Sequence, residues 1–455
     1  MIHSIYFVSL GCAKNIVDSS VAIASILKAG FCMTEDLECA DICWINTCAF
    51  LEIARLEVAE HLKVLALWKK NAPNRKIVIS GCLTQWDAKH EFQFKKKYKQ
   101  VDLWLDIDSF ENTGEAIQQL YHKKNSVSAP HLDILEPTWI YNAKTPRVLL
   151  EEGAFAYLKI ADGCDNMCHF CLIPSIRGHL RSRAVKDIVE EAKNILALGK
   201  KELILIAQDT GAFGRDINGK SNLPELLKEL DKLNGNFFIR LMYLHPRSVS
   251  KDLIQVMRHC KHLIPHLEMP IQHVTDTMLE AMNRHITAKE QEKVVSDLKK
   301  AGFTLRTTLM TGYPGETEQD FNALKELVRS KLFERIGVFA FSPEEGTEAA
   351  KFSKKISAKV AQMRAESLLM IQKEIFKETN KQMLGKQFTI LIDRVLSKKR
   401  AIGRLLQDAP DVDLLVHVRE LSANIQSGDI VQVEITRVTS FDLYGKYLID
   451  SSSKE

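Results

Sequence analysis

Residues 164–171 read Cys164-Asp165-Asn166-Met167-Cys168-His169-Phe170-Cys171. They follow residues 156–160, a short apolar run that predicts a buried strand, so the three thiols fall in a loop at a strand's C-terminal end. Three thiolates in a C-x3-C-x2-C spacing can wrap three irons of a cubane cluster and leave the fourth iron open to an outside ligand. Structural zinc is the alternative reading, although no further cysteine pair lies nearby and His169 sits inside the loop.

Downstream, strand-like runs at 203–207, 238–243, 304–310 and 336–342 alternate with helical patterns at 185–198, 223–233, 287–301 and 318–330. Such alternation predicts a full or partial (β/α) barrel over residues 151–383, with helical residues 358–383 leading out of it. Active sites of such barrels gather where the strands end, which is where Cys164, Cys168 and Cys171 stand.

Upstream, residues 5–10, 42–46 and 76–80 are strand-like, and 19–29 and 51–70 carry helical spacing. This predicts an N-terminal α/β domain over 1–121 with a parallel sheet. Cys12, Cys48 and Cys82 each sit just after one of its strands, so all three are expected on one edge of that sheet. Residues 122–150 are polar, contain Pro130, Pro137 and Pro146, and read as a linker or extended connection. Residues 384–455 change character again. Short strand-like runs at 388–393, 414–418, 430–436 and 447–449 predict a small closed β-barrel.

Composition agrees with a chain of several domains. Its 455 residues, 45% hydrophobic and 26% charged, suffice for more than one core. A net charge of +4, from 62 basic and 58 acidic residues, is too weak for a nucleic-acid coat protein. Ten cysteines are too few for a disulfide scaffold, which points to a reducing compartment and to thiols that bind metal or react. Residues 7–12 resemble a lipoprotein cleavage box but lack a basic residue and a long apolar stretch before it. No apolar run reaches the roughly 20 residues that cross a bilayer. The expectation is a cytoplasmic protein, not bound to membrane, and a monomer, since no coiled-coil heptads occur.

The cysteine loop, with Phe170 ahead of its third thiol, resembles the radical S-adenosylmethionine (SAM) superfamily. Lys159, Gly163, Pro174, Arg177, Gly178, Arg181, Ser182 and Arg183 are similar to the methylthiotransferase branch of it. Gly11 with Cys12, Asn46-Thr47-Cys48 and Gly81-Cys82-Leu83 resemble that branch's auxiliary-cluster motifs, and residues 384–455 resemble its TRAM domain. Within the branch, residues 9–19, Gln208 with Asp209, residues 341–347 and residues 407–410 are most similar to the type that modifies a ribosomal protein. Ala13, Ser20 and Trp86 depart from that pattern without removing a cysteine.

The resemblance implies two 4Fe-4S clusters. Cys164, Cys168 and Cys171 would hold the one that cleaves SAM, and Cys12, Cys48 and Cys82 the auxiliary one that carries sulfur. Gln208 and Asp209 would contact SAM. The implied reaction adds a methylthio group to the β-carbon of an aspartate in ribosomal protein S-twelve, free or in the small ribosomal subunit, with an electron donor and a sulfur source as further partners. That carbon carries no acidic hydrogen, so base catalysis would not reach it and a radical is needed. The same chemistry on a modified adenosine of transfer RNA is the alternative; a non-catalytic RNA- or ribosome-associated factor is the alternative of another class. From residue 384 onward ten basic and ten acidic residues balance, which suits protein better than a phosphate backbone, although Lys398, Lys399 and Arg400 form a local basic group.

Other features read as structure. Cys32, Cys39, Cys43 and Cys260 lack partners at ligand spacing, and Lys95, Lys96, Lys97 and Lys99 form a solvated helix face. The glycine-flanked residues 312–317 allow either close approach to a ligand or a tight turn.

Overall fold

The computed structural model describes residues 3–122, 136–410, 412–422, 424–440 and 442–448. The first sheet has five parallel strands in the spatial order Cys32–Thr34, Ser4–Ser9, Ile42–Thr47, Lys76–Gly81 and Leu103–Trp104. Strands are laid down first on one side of Ser4–Ser9 and then on the other. The crevice between Ser4–Ser9 and Ile42–Thr47 is therefore a topological switch point, the place where open α/β sheets bind ligands.

The second sheet has six parallel strands in unbroken chain order, Phe155–Lys159, Glu202–Ile206, Phe238–Leu241, Leu263–Glu268, Thr304–Thr311 and Arg335–Ala340. Its first and last strands are not paired, so it is a partial barrel. One large core packs beneath its outer helices, among them Val185–Ala197, Leu223–Asp231 and Ala288–Lys300.

The helix Ala13–Lys28 lies between the two sheets. Its Ala13, Val17 and Val21 share a core with Tyr157, Ile204, Ile206 and Met242 of the partial barrel, and with Tyr141 of the connecting segment. The described part of that connection, residues 136–150, is an extended strap. Val148 N–H donates to Ser20 O (3.0 Å), and Arg147 pairs with Glu191 (2.8 Å). The part of the expected linker from 123 to 135, with Pro130, lies outside the described residues.

The C-terminal strands Gln387–Ser397, Arg400–Leu405, Leu415–Arg419, Ile430–Val438 and Asp442–Tyr447 close a five-stranded barrel. It docks at the end of the partial barrel opposite the cysteines. Glu202 is shared between Arg240 (2.6 Å) and Arg404, Arg335 pairs with Asp408 (2.6 Å), and Arg306 with Asp413 (3.2 Å). Arg240 also donates to the backbone oxygen of Leu406 (2.8 Å).

Four expectations shift. The first helix starts at Ala13, six residues before the apolar spacing begins, because Lys14, Asn15, Asp18, Ser19 and Ser20 are all buried polar residues. Strand Leu263–Glu268 went unforeseen because it contains Pro265, which argues against a central strand. Pro265 is tolerated where the pairing register slips between Ile239 and Leu241. Strand Arg400–Leu405 was also unforeseen. The last strand lies at Asp442–Tyr447, ahead of the expected 447–449, whose residue 449 lies outside the described residues. Both strands carry a glycine forced by close packing: a Cβ on Gly403 would fall 2.4 Å from Leu391 O, and one on Gly445 2.2 Å from Val433 Cγ1.

Candidate active site

Each N-terminal cysteine is placed by a strand end. Cys12 stands just before helix Ala13–Lys28, Cys48 just after strand Ile42–Thr47, and Cys82 is the first residue of helix Cys82–Lys89. Asn15 stitches two of these loops together, its Nδ2 donating to Leu10 O and Thr47 O (both 2.9 Å). Thr47 adds the third, donating to Ser80 O (2.6 Å) and accepting from Leu83 N–H (3.2 Å). Gly11 has φ +104°, and a Cβ there would lie 2.9 Å from Cys48 Cβ, so only glycine lets the loops approach this closely.

The Cys164 loop follows strand Phe155–Lys159 and the short strand Ala161–Asp162. Gly163, at φ +79°, turns the chain where a Cβ would fall 2.0 Å from His179 O. Cys164 N–H then donates to Gly178 O (3.1 Å). His169 does not line the cavity that the six cysteines share, its Nδ1 meeting Ala281 O at 2.9 Å.

All six cysteines line one cavity of about 440 Å³ between the two sheets. Four sulfurs already receive N–H donors. Asn166 N–H and Ile173 N–H reach Cys164 and Cys171 (both 3.4 Å), Arg284 Nη1 reaches Cys168 (3.4 Å), and Arg177 Nη2 reaches Cys82 (3.2 Å). Burial pushes the Cys82 thiol up to about 12, with Arg177 opposing, and the Cys164 thiol up to about 12; it raises Cys48 and Cys171 as well. Thiols so desolvated ionise only beside compensating positive charge, which bound iron supplies. Donor type and sulfur-directed N–H groups thus fit thiolate-held clusters on both sides of the cavity. Among the described residues no group of three or more His, Cys, Asp or Glu could hold a single metal ion. A cubane takes its thiolates on separate irons and needs no such convergence.

Between the two thiol sets lies a buried charge cluster. Arg177 Nη1 bonds Asp18 (2.7 Å) and Asp162 (3.1 Å), and its Nη2 reaches Asn15 Oδ1 (2.6 Å). Lys159 pairs with the same two carboxylates. Two cations and two anions balance there, and they join the first sheet's helix to the second sheet.

Of the two expected SAM contacts, Gln208 lines the cavity and donates to Asp162 (2.6 Å), leaving its Oε1 without a partner among the described residues. Asp209 does not line it. Its carboxylate is used as a bracket, accepting from Asn166 Nδ2 (2.8 Å), Ser248 Oγ (2.8 Å) and His245 N–H (3.2 Å). Residues 312–317 form a turn: Gly312 N–H donates to Glu316 (2.8 Å), and a Cβ on Gly312 would strike Ala361. Cys32, Cys39, Cys43 and Cys260 lie outside the cavity lining.

Several lining residues escaped the sequence reading. Tyr243 and Gln272 follow barrel strands and hold left-handed backbone, φ +63° and +69°, a strain that concentrates at functional sites and that no glycine announces. Arg284 and His273 are open in the sequence to either a cavity-lining or a structural polar role; Arg284, just beyond helix Asp276–Ala281, lines the cavity and His273 does not. Lys14 hid inside a helix. Its Nζ lies 3.2 Å from the centroid of the Tyr243 ring, and burial draws its ammonium below the usual lysine range.

The partial barrel with a three-cysteine loop beyond its first strand defines a radical SAM protein, and the Radical SAM superfamily model matches residues 158–328. A model described as uncharacterized protein family UPF0004 matches residues 4–106, and a TRAM domain model matches 384–448. The chain is 37% identical to the ribosomal protein uS12 methylthiotransferase RimO of Thermoanaerobacter sp. (strain X514), over 97% of this chain and 99% of that one. It is 35% identical to the protein of the same name from Clostridioides difficile (strain 630), over 97% and 98%. The chain belongs to the RimO family of radical SAM methylthiotransferases. Among solved structures, the radical SAM methyltransferase TsrM from Kitasatospora setae, with cobalamin and a 4Fe-4S cluster bound, shares the fold at a TM-score of 0.54 and 13% identity, over 77% of this chain and 74% of that one. Among the described residues no helix is long and apolar enough to cross a membrane.

Proposed function

We propose that this enzyme adds a methylthio group to the β-carbon of an aspartate in ribosomal protein uS12. The observation that carries the reading is the single cavity lined by both cysteine sets. Replacing an unactivated C–H by C–S needs hydrogen removal and sulfur delivery at one carbon, and a substrate carbon in this cavity faces both sets of thiols.

Cys164, Cys168 and Cys171 hold one 4Fe-4S cluster, and Cys12, Cys48 and Cys82 hold the other. When bound, the clusters and SAM supply the electron, the hydrogen-abstracting radical, the sulfur and the methyl group. The chain's own groups prepare the site. Arg284 and Arg177 place positive charge on one sulfur of each set. Gln208 offers SAM its free Oε1, and Asp209 positions the Cys164 loop through Asn166. Phe50, Phe170, Ile173 and Pro174 supply apolar walls that keep water from a radical. An electron donor and a sulfur source complete the reaction in the cytoplasm, and the balanced charge of the terminal barrel favours a protein substrate over RNA.

The test is mass spectrometry of uS12 incubated anaerobically with reconstituted enzyme, SAM, sulfide and reductant, beside a Cys164→Ala control. One methylthio group on an aspartate, absent in the control, supports the reading. Modification of transfer RNA with uS12 untouched overturns it.

A further inference from the structure

We propose that Lys14 is the substrate-binding residue that grips the target aspartate's carboxylate and so sets its β-carbon between the two thiol sets; this rests on the uS12 reading above.

The cavity lining contains no Asp or Glu among the described residues, and it contains the basic side chains of Lys14, Arg177 and Arg284. Two of them are committed. Arg177 is held by Asp18, Asp162, Asn15 and Cys82, and both Nη atoms of Arg284 by Cys168 and the backbone oxygen of Pro270 (2.7 Å), its Nε alone being without a partner among the described residues. Lys14 is not. It is 8% exposed and touches the Tyr243 ring, yet no hydrogen bond or ion pair engages its Nζ among the described residues. Cys12 and Glu268 act on its charge through space, but Glu268 pairs with Arg306 (3.4 Å) and makes no ion pair with Lys14 among the described residues.

A buried ammonium with no counter-ion in hydrogen-bond contact is costly, and a cation–π contact offsets only part of that cost. A bound carboxylate would offset more, because a charge-assisted hydrogen bond in a water-poor cavity is strong. Placement agrees. Lys14 is two residues from Cys12, on the auxiliary side, while Tyr243 comes from the radical SAM barrel, so their contact marks the seam between the two thiol sets. In an aspartate side chain the carboxylate carbon is bonded directly to the β-carbon. Holding the carboxylate at this seam fixes the reacting carbon within one bond length. The strained backbone of Tyr243 fits the same role, since it aims the ring that seats the ammonium.

The experiment measures kcat/KM by methylthio product for full-length reconstituted wild type, Lys14→Met and Lys14→Arg, each on uS12 carrying the native aspartate or asparagine at the target position. Iron content and abortive 5'-deoxyadenosine release are followed in parallel. The wild type should prefer aspartate over asparagine by about 100-fold, the usual scale for removing one partner of a buried charge pair. Lys14→Met should lose about 100-fold on aspartate and shrink that preference to within about 3-fold, with iron retained and abortive 5'-deoxyadenosine raised. Lys14→Arg should keep a clear aspartate preference. A Lys14→Met enzyme that is slow yet keeps the wild-type preference overturns the proposal, because a purely structural lysine would not sense the substrate's charge. If iron-loaded wild type leaves uS12 unmodified, the uS12 reading fails, and the proposal fails with it.

Discussion

Arg177 is the residue on which both halves of the site lean. It is fully buried, touches a sulfur of the N-terminal set, and shares Asp18 and Asp162 with Lys159. Burial alone would disfavour its charge, but Cys82, Asp18 and Asp162 outweigh that and hold its pKa well above the ordinary arginine value. Arg177→Gln leaves two buried carboxylates facing one lysine. It should cost about 3–5 kcal/mol, read as a shift in the urea midpoint, and lower iron occupancy on the auxiliary side. Asp209→Asn is milder. It keeps one side-chain oxygen for the His245 and Gly211 N–H groups, while the new amide nitrogen replaces the oxygen that Ser248 and Asn166 share. Ser248 Oγ can turn to accept but the Asn166 amide cannot, so stability should fall by about 1 kcal/mol while activity falls further, about 10-fold, through a looser Cys164 loop.

At the scale of elements, strand-to-helix turns decide the site. Gly81 ends strand Lys76–Gly81 at φ +97° and precedes Cys82, and a Cβ there would fall 2.2 Å from Asn46 Oδ1 and 2.7 Å from Thr47 O. Gly81→Ala must push Cys82 away from Cys12 and Cys48. It should lose about half the bound iron while the Cys164 set keeps its share, which iron and acid-labile sulfide assays measure directly. These turns explain what was legible beforehand. Thiols after strands can be read from residue order, and so the three-part α/β, partial-barrel and β-barrel plan was visible. The start of helix Ala13–Lys28 was not, because its site-facing polar residues erase the amphipathic stripe. Pro265 and Gly403 hid strands for the converse reason, since a register slip and a close backbone contact need residues that ordinarily signal a break. Lys14, Tyr243 and Gln272 were invisible as site residues because their roles depend on how the first sheet sits against the second.

At the scale of the whole molecule, the terminal barrel is clamped to the far end of the radical SAM barrel by ion pairs that are largely buried. Burial would push the Glu202 carboxyl up, but Arg240 and Arg404 outweigh it and hold it below the usual range. A depressed folded-state pKa gives stability that is present above the unfolded value of about 4.5 and lost as pH falls through the folded one. Glu202→Gln should therefore lower the urea midpoint at pH 7, by about 3–5 kcal/mol in stability, with the gap from wild type closing progressively below about pH 4.5. A gap that stays constant into acid would show that Glu202 acts by shape and not by charge.

All of this depends on two separate clusters facing one cavity. The decisive measurement is iron and acid-labile sulfide per chain after anaerobic reconstitution, for wild type and for two variants in which Cys12, Cys48 and Cys82, or Cys164, Cys168 and Cys171, are all replaced by alanine. Wild type should hold about eight irons and each variant about four, with the remaining cluster redox-active. If either variant keeps the wild-type iron content, or if wild type never exceeds about four irons, the two-cluster arrangement is contradicted.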